Sequence, residues 1–261
     1  MGHERVGYLP KSQKWVRIVE KINQFSSEND NVSDIAYETT KNVRNRFQNI
    51  EQDSGVISAF KYLVLLAHAS KLSNPADFLK TKGISLSKDF NIFELTKSVQ
   101  DYVQKNQDSK EYSTFAVQSM IDTISDWSRK NELQQSLIFD SNKNSFEKWQ
   151  KAADGKGFCE LSRTFFSKFT ERYLKYFLER EASSKIKSLY DKQQFINKLE
   201  SHVADISQHA FEASKIIQSF SAGWFNNKAR TQSPSDVEVK GFLSYAFKKI
   251  NSELVREENN E

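Results

Sequence analysis

The segment FCELSRTFFSKFTERYLKYFLER, residues Phe158–Arg180, decides the fold. It contains neither glycine nor proline, and its apolar side chains recur every three or four residues. That spacing places them on one face of an α-helix, whose members are Phe158, Leu161, Phe165, Phe169, Tyr173, Tyr176 and Phe177. A helix that is so apolar on one side needs a second layer to cover that side.

The segment from Phe195 to Phe220 is expected to supply that second layer. Its apolar residues follow the same spacing and comprise Phe195, Leu199, Val203, Ile206, Ala210, Ala213, Ile216, Ile217 and Phe220. A polar stretch, Ser183–Asp191, separates the two segments, as in two helices joined by a short turn. We therefore expect a long antiparallel helical hairpin in the C-terminal half of the chain.

Glycine and proline are scarce in the whole sequence. There are 8 Gly and 3 Pro in 261 residues, and the interval 84–154 contains neither. Folds rich in β-sheet need turns about every 8–12 residues, and those turns favour glycine and proline. The sequence therefore predicts an all-α fold, a multi-helix bundle of about 8–10 helices.

Breaks in the apolar spacing place the remaining helices, which we expect near 12–25, 32–52, 56–72, 75–83, 91–105, 111–130, 146–153 and 235–256. Asp53–Gly55 is expected to end the second of these helices, because glycine is common just past a helix. The segment 56–72 is apolar nearly all round and is expected to be the central helix of the N-terminal half. The polar stretch 140–157 is interpreted as a connecting segment between residues 1–139 and 158–261. These two parts are either separate helical domains or one continuous domain.

The distribution of charge gives one candidate surface. The formal net charge is only +4, but residues 156–198 carry ten Lys or Arg against five Asp or Glu. A basic helix can follow a phosphate backbone, and the residues that would contact nucleic acid are Lys156, Arg163, Lys168, Arg172, Lys175, Lys185 and Lys187. Glutamates interrupt the series, which is more typical of a solvated helix face with charge pairs four residues apart.

The segment WFNNKAR, residues 224–230, gives the leading candidate surface for a partner protein. Gly223 and Pro234 bound it, and both residues predict a loop there. Exposed Trp and Arg are enriched at the centres of protein interfaces, so the predicted partner-binding residues are Trp224, Phe225, Asn226, Lys228 and Arg230. The alternative is that the two aromatic rings fill space between the last helices.

Catalytic motifs are absent from the sequence. It has no GxxxxGK[ST], GxSxG, HExxH or paired CxxC motif, and its one cysteine, Cys159, excludes an intrachain disulfide and a multi-cysteine metal site. Gly155–Gly157 before Cys159 could form an anion-binding turn, with His202 or His209 as a base for the thiol. An ordinary turn beside a buried cysteine is the simpler interpretation, and we expect neither a metal nor a cofactor.

The function expected from these observations is that of a helical interaction protein, a subunit or adaptor of a larger assembly whose partner is another protein. A nucleic-acid-associated protein that uses residues 156–198 is the alternative, and an enzyme centred on Cys159 is the weakest reading. The longest apolar run, Tyr62–Ala67, is far shorter than the roughly 20 residues of a membrane span, and Met1–Pro10 lacks the apolar core of a signal peptide. The expected compartment is the cytoplasm.

Overall fold

Eleven α-helices make up the part of the chain that the structure describes, and that part contains no β-strand. The structure is a computed structural model that describes residues 12–26, 31–47, 50–106, 112–135, 145–212 and 215–258. The helices are α1 (Gln13–Asn23), α2 (Val32–Phe47), α3 (Ser54–Ala69), α4 (Pro75–Thr81), α5 (Ile92–Asn106), α6 (Ser113–Gln135), α7 (Ser145–Trp149), α8 (Gly155–Lys185), α9 (Leu189–Glu212), α10 (Lys215–Trp224) and α11 (Asp236–Glu258). The all-α prediction is confirmed, with one helix more than the upper end of the predicted number.

Side-chain caps fix where several helices begin. The hydroxyl of Ser12 accepts a hydrogen bond from the backbone N–H of Trp15 at the start of α1. The Asp53 carboxylate accepts from the backbone N–H groups of Gly55 and Val56, at 2.9 and 3.1 Å. Asp53 therefore caps α3. The break falls at Asp53 as predicted, but Ser54 and Gly55 belong to α3 and do not end the preceding helix. A capping carboxylate satisfies backbone donors that have no partner within the helix.

Helix α3 is the central helix of the N-terminal half, as predicted. The run Tyr62–Ala67 is completely buried, as are Val56, Ala59 and Phe60. Helices α4, α5, α6 and α11 all pack against it. A helix that is apolar on every side can be stable in water only when other helices enclose it in this way.

An aromatic cluster centred on Phe60 joins α3 to the C-terminal half. The Phe60 ring lies 6.0, 5.7 and 5.5 Å from the rings of Phe158, Phe165 and Phe166 on α8. It also stacks on Phe242 of α11, with the ring centres 4.9 Å apart. A single hydrophobic core therefore crosses the predicted connecting segment. The division of the chain into residues 1–139 and 158–261 as separate domains stays a prediction.

The predicted helical hairpin is confirmed for α8 and α9. The Lys192 ammonium donates to the Ser183 carbonyl at 3.1 Å, and the Lys175 ammonium donates to the Glu200 carboxylate at 3.2 Å. From the first contact to the second, the residue number falls by eight on α8, from 183 to 175, and rises by eight on α9, from 192 to 200. The two helices therefore run antiparallel. The connecting turn, 186–188, is shorter than the polar stretch from which it was predicted.

Replacing Phe169 by alanine is expected to destabilise the protein by about 3–5 kcal/mol, because its ring is completely buried and contacts Phe165 and Phe247. Phe93 provides the matched control, since 79% of it is exposed. Phe93→Ala is expected to change the free energy of unfolding by no more than about 0.5 kcal/mol. Denaturant unfolding measures both values. Equal effects of the two substitutions would show that the buried face of α8 is assigned wrongly.

Candidate functional site

The segment 224–230 is a continuation of α10, and the prediction of a loop there is wrong. Residues Phe225–Ala229 form a π-helical turn directly after Trp224. Phe225 is completely buried, and its ring stacks on Phe158 with 4.4 Å between the ring centres. Trp224 is half-buried and lies 4.8 Å from the ring of Phe242. Phe225 thus belongs to the core. This agrees with the alternative interpretation, in which the two aromatic rings fill space between the last helices.

Two contacts from distant parts of the chain hold this π-helical turn in place. Gly155, at the start of α8, lies close to this turn, since a Cβ there would be 2.6 Å from the Asn226 amide nitrogen and 3.1 Å from the Ala222 carbonyl oxygen. His68 of α3 meets the Ala229 carbonyl through its Nδ1, at 2.7 Å. Burial lowers the pKa of His68, so the neutral ring donates this bond through Nδ1–H at neutral pH. Gly155 and Gly157 are helical residues, because the Asp154 carboxylate accepts from the Gly157 backbone N–H and caps the start of α8. Neither the anion-binding turn nor the simpler interpretation of an ordinary turn therefore describes this segment.

The outer side of the π-helical turn is polar. Asn226, Lys228 and Arg230 are all exposed. The Lys228 ammonium lies 3.1 Å from a carboxylate oxygen of Glu238 on α11. Three of the five predicted partner-binding residues therefore point to solvent, and their role in binding stays a prediction.

The middle of the basic helix is neutralised by carboxylates. Arg172 pairs with Asp122 of α6, and Lys168 lies 3.9 Å from Asp126 of the same helix. These ion pairs neutralise the positive charges that phosphate binding by this part of the helix would require. The middle of α8 therefore fits the solvated, paired face that the glutamates in its sequence indicated.

Lys175 shows the same pairing most clearly. Its ammonium lies 2.8 Å from Glu171 on α8 and 3.2 Å from Glu200 on α9. Burial acts to lower the pKa of Lys175, but the two carboxylates together outweigh burial and hold that pKa above its usual value. Lys175 is therefore a fixed cation within an ion-pair network.

The other four basic candidates lie towards the two ends of α8. Lys156 and Arg163 are exposed near its beginning, and Lys185 and Lys187 are exposed at its end. A helix of 31 residues is about 46 Å long. These cations therefore form two separate groups, and contact of either group with nucleic acid stays a prediction.

Cys159 is half-buried on the first turns of α8. Burial raises the pKa of its thiol, and nearby Arg163 opposes that effect only in part. The antiparallel register places His202 opposite Tyr173, about 14 residues or roughly 21 Å along the helix axis from Cys159. His202 is thus too far away to act as a base for the thiol. The His209 side chain lies outside the described residues.

The end of the hairpin carries exposed apolar side chains that the sequence analysis did not single out. We name residues 183–192 the hairpin tip. Within it, 81% of Leu189 and 65% of Tyr190 is exposed, next to exposed Lys185 and Lys187. The sequence did contain one signal for this surface. Leu189 and Tyr190 are adjacent apolar residues in a polar stretch, and they do not continue the apolar face of a helix.

A cavity of about 290 Å³ lies between α5, α6 and α7. Its wall is formed by Phe90, Asn91, Ile92, Leu95, Trp127, Ser128, Asn131, Ser145, Lys148 and Trp149. These residues are far apart in the sequence, so no local motif could have identified the cavity. Among the residues that the structure describes, no group of three His, Cys, Asp or Glu side chains could hold a metal ion.

Comparisons of the chain with protein-family models, with curated proteins and with solved structures found no match. None of the helices within the described ranges has both the length and the apolar composition needed to cross a membrane.

Labelling of Cys159 by a maleimide is expected to reach half of its maximal rate at a higher pH than labelling of an exposed thiol. Burial raises the pKa of Cys159, so less thiolate is present at neutral pH. The control is a cysteine at exposed Lys97, introduced as Lys97→Cys in a Cys159→Ser background. A half-maximal rate at a lower pH for Cys159 than for the control would indicate an activated thiol and would restore the enzyme hypothesis.

Proposed function

We propose that this chain is a cytoplasmic helical interaction protein, a subunit or adaptor of a larger assembly, and that it binds another protein through the hairpin tip. The observation that carries the proposal is the exposure of Leu189 and Tyr190 beside two exposed lysines. Adjacent exposed apolar side chains mark binding surfaces more often than isolated ones do. Tyrosine is also among the residues most enriched at the energetic centres of interfaces.

Three contacts order the hairpin tip, which favours binding. Ile186 is buried, with 6% of it exposed, and fixes the turn to the body of the protein. The Ser188 hydroxyl accepts from the backbone N–H of Asp191 at 3.2 Å, and the Lys192 ammonium bonds to the Ser183 carbonyl. A surface that is already ordered loses less conformational entropy when a partner binds.

The charge of the hairpin tip indicates what kind of partner would fit. Lys185, Lys187 and Lys192 outnumber the single carboxylate of Asp191. No ion pair engages Lys185 or Lys187 within the described part of the chain. A complementary partner would therefore offer an apolar pocket for Leu189 and Tyr190 with acidic residues at its rim.

The π-helical turn is a second, separable candidate surface for the same function. It packs on Gly155 at the start of α8, whereas the hairpin tip follows the end of α8, about 46 Å away along the helix. Its exposed residues are polar, and Lys228 is already paired with Glu238. It lacks the exposed apolar area that most of the binding free energy requires, so we place the main contact at the hairpin tip.

Site-specific photo-cross-linking in the native cell tests this proposal. A photoreactive phenylalanine analogue replaces Tyr190 in the full-length chain, and a matched control replaces Val237, which is 78% exposed at the start of α11. We expect a discrete adduct with one other protein from position 190 and at most about a tenth as much from position 237. The double change Lys185→Glu with Lys187→Glu is expected to reduce the adduct roughly tenfold, because it places like charges against an acidic rim.

Four outcomes would contradict the proposal. Equal adducts from positions 190 and 237 would indicate random collisions, and an adduct only with a second copy of the chain would indicate self-association. An adduct with nucleic acid or lipid would favour a different class of partner. An adduct that is lost on changing Trp224 and Arg230 to alanine, but not on reversing the two lysines, would place the site at the π-helical turn.

A further inference from the structure

We infer that the docking surface for the partner protein extends from the hairpin tip onto the first turns of α1, and that the partner presents acidic groups to both. This inference rests on the proposed function, because it adds residues to the same binding site. The added residues are Lys14, Val16 and Arg17, which we name the α1 patch.

The hairpin tip by itself is too small for a stable interface. Leu189 and Tyr190 are its exposed large apolar side chains, and Ile186 is buried. A stable protein interface buries about 800 Å² on each partner and involves about 20–30 residues there. Residues 183–192 cannot supply that area. The binding site must therefore continue onto neighbouring parts of the surface.

Helix α1 begins next to the last turns of α8, close to the hairpin tip. The Trp15 ring lies 6.2 Å from the Phe177 ring, and the Trp15 indole N–H donates to the Glu181 carboxylate at 3.4 Å. Lys185 of the tip comes four residues after Glu181, about 6 Å further along the helix. An interface of about 800 Å² is roughly 30 Å across. One partner can therefore cover both the tip and the residues that flank Trp15.

Val16 supplies the apolar part of the α1 patch. The ammonium of Lys21 on α1 lies 2.7 Å from the carboxylate of Glu38 on α2, so the flank of α1 that carries Lys21 faces α2. Each residue turns an α-helix by about 100°, which places Val16 roughly 140° around the helix axis from Lys21. Val16 therefore lies away from α2, and 52% of it is exposed.

The α1 patch carries the same sign of charge as the hairpin tip. Lys14 and Arg17 are exposed, and neither forms an ion pair with a side chain that the structure describes. Residues 12–20 and 183–192 together contain five Lys or Arg against two Asp or Glu, a net charge of +3. The buried Glu181 between them leaves this surface basic. An acidic surface on the partner would complement both groups of cations.

The exposed apolar side chains favour a protein over a nucleic acid as the partner. A nucleic acid would contact the cations through its phosphates, and it would leave Val16, Leu189 and Tyr190 in water. A protein can place apolar side chains against these three residues and carboxylates against the neighbouring cations. Arginine is also enriched at the energetic centres of protein interfaces. We therefore expect a contact face on the partner that combines apolar and acidic residues.

Photo-cross-linking from two positions of the full-length chain tests this inference in the native cell. The photoreactive phenylalanine analogue replaces Val16 in one variant and Tyr190 in another, and Phe93, which is 79% exposed on α5, is the matched control position. We expect positions 16 and 190 to capture the same protein, identified by mass spectrometry. Position 93 should give at most about a tenth as much of that adduct, because it lies outside the interface.

Charge reversal on α1 provides a second measurement. Lys14→Glu with Arg17→Glu should reduce the adduct from position 190 roughly tenfold, because it places like charges against the acidic partner. Lys97→Glu with Lys105→Glu changes the net charge equally at exposed positions of α5, and should leave that adduct within about twofold of its original amount. If the reversed α1 variant fails to fold, Lys14→Gln with Arg17→Gln decides the question, with an expected loss of about threefold.

The outcomes separate this inference from the proposed function. An adduct from position 190 with none from position 16, or with a different protein from position 16, would overturn the extension and leave the hairpin tip as the site. Equal losses from the charge changes on α1 and on α5 would show that net charge alone acts, and would also overturn it. The absence of an adduct from both positions would contradict the proposed function itself, and this inference with it.

Discussion

The contact of the Phe60 ring with the aromatic rings of α8 and α11 is the interaction on which the rest of the structure depends. Phe60 lies on the buried central helix α3, within 6.0 Å of Phe158, Phe165 and Phe166, and stacks on Phe242. Aromatic pairs at such distances add attraction beyond the burial of their area. Because these helices come from both halves of the chain, the cluster makes the two halves one hydrophobic core, and α8 can extend through it as a continuous helix of 31 residues.

The two ends of α8 consequently carry different chemistry. The π-helical turn packs against its first turn at Gly155 and through the stacking of Phe158 on Phe225. That end of the helix is therefore covered, and the outer surface of the π-helical turn is polar. Its last turn leads into the hairpin tip, where Leu189 and Tyr190 remain exposed. Between the two ends, ion pairs with α6 and α9 neutralise the basic residues. Exposed apolar area and two exposed lysines therefore coincide at the tip, and this coincidence motivates the proposed docking surface.

Local patterns predicted most of the fold, because helix formation depends on neighbouring residues. The spacing of Phe165 and Phe169 predicted a buried face, and both are completely buried. Features set by contacts across the chain could not be predicted. Gly155 was interpreted as part of a turn, but it is the first residue of α8, and its close approach to Asn226 could not be read from the sequence. The basic series on α8 could not reveal that Arg172 meets Asp122, and the cavity unites residues from 90 to 149. The hairpin tip had only a weak signal, since exposure depends on what the rest of the chain leaves uncovered.

Hydrogen exchange measured at increasing denaturant tests most directly whether one aromatic core unites the chain. Helices α3, α8 and α11 share the Phe60 cluster, so we predict that their amides lose protection together, in a single cooperative transition. Phe60→Ala should lower the free energy of that transition by about 3–5 kcal/mol and lower the protection of all three helices equally. Loss of protection in α3 at a denaturant concentration where α8 and α9 remain protected would contradict this account. It would show instead that the chain consists of two independently folding parts.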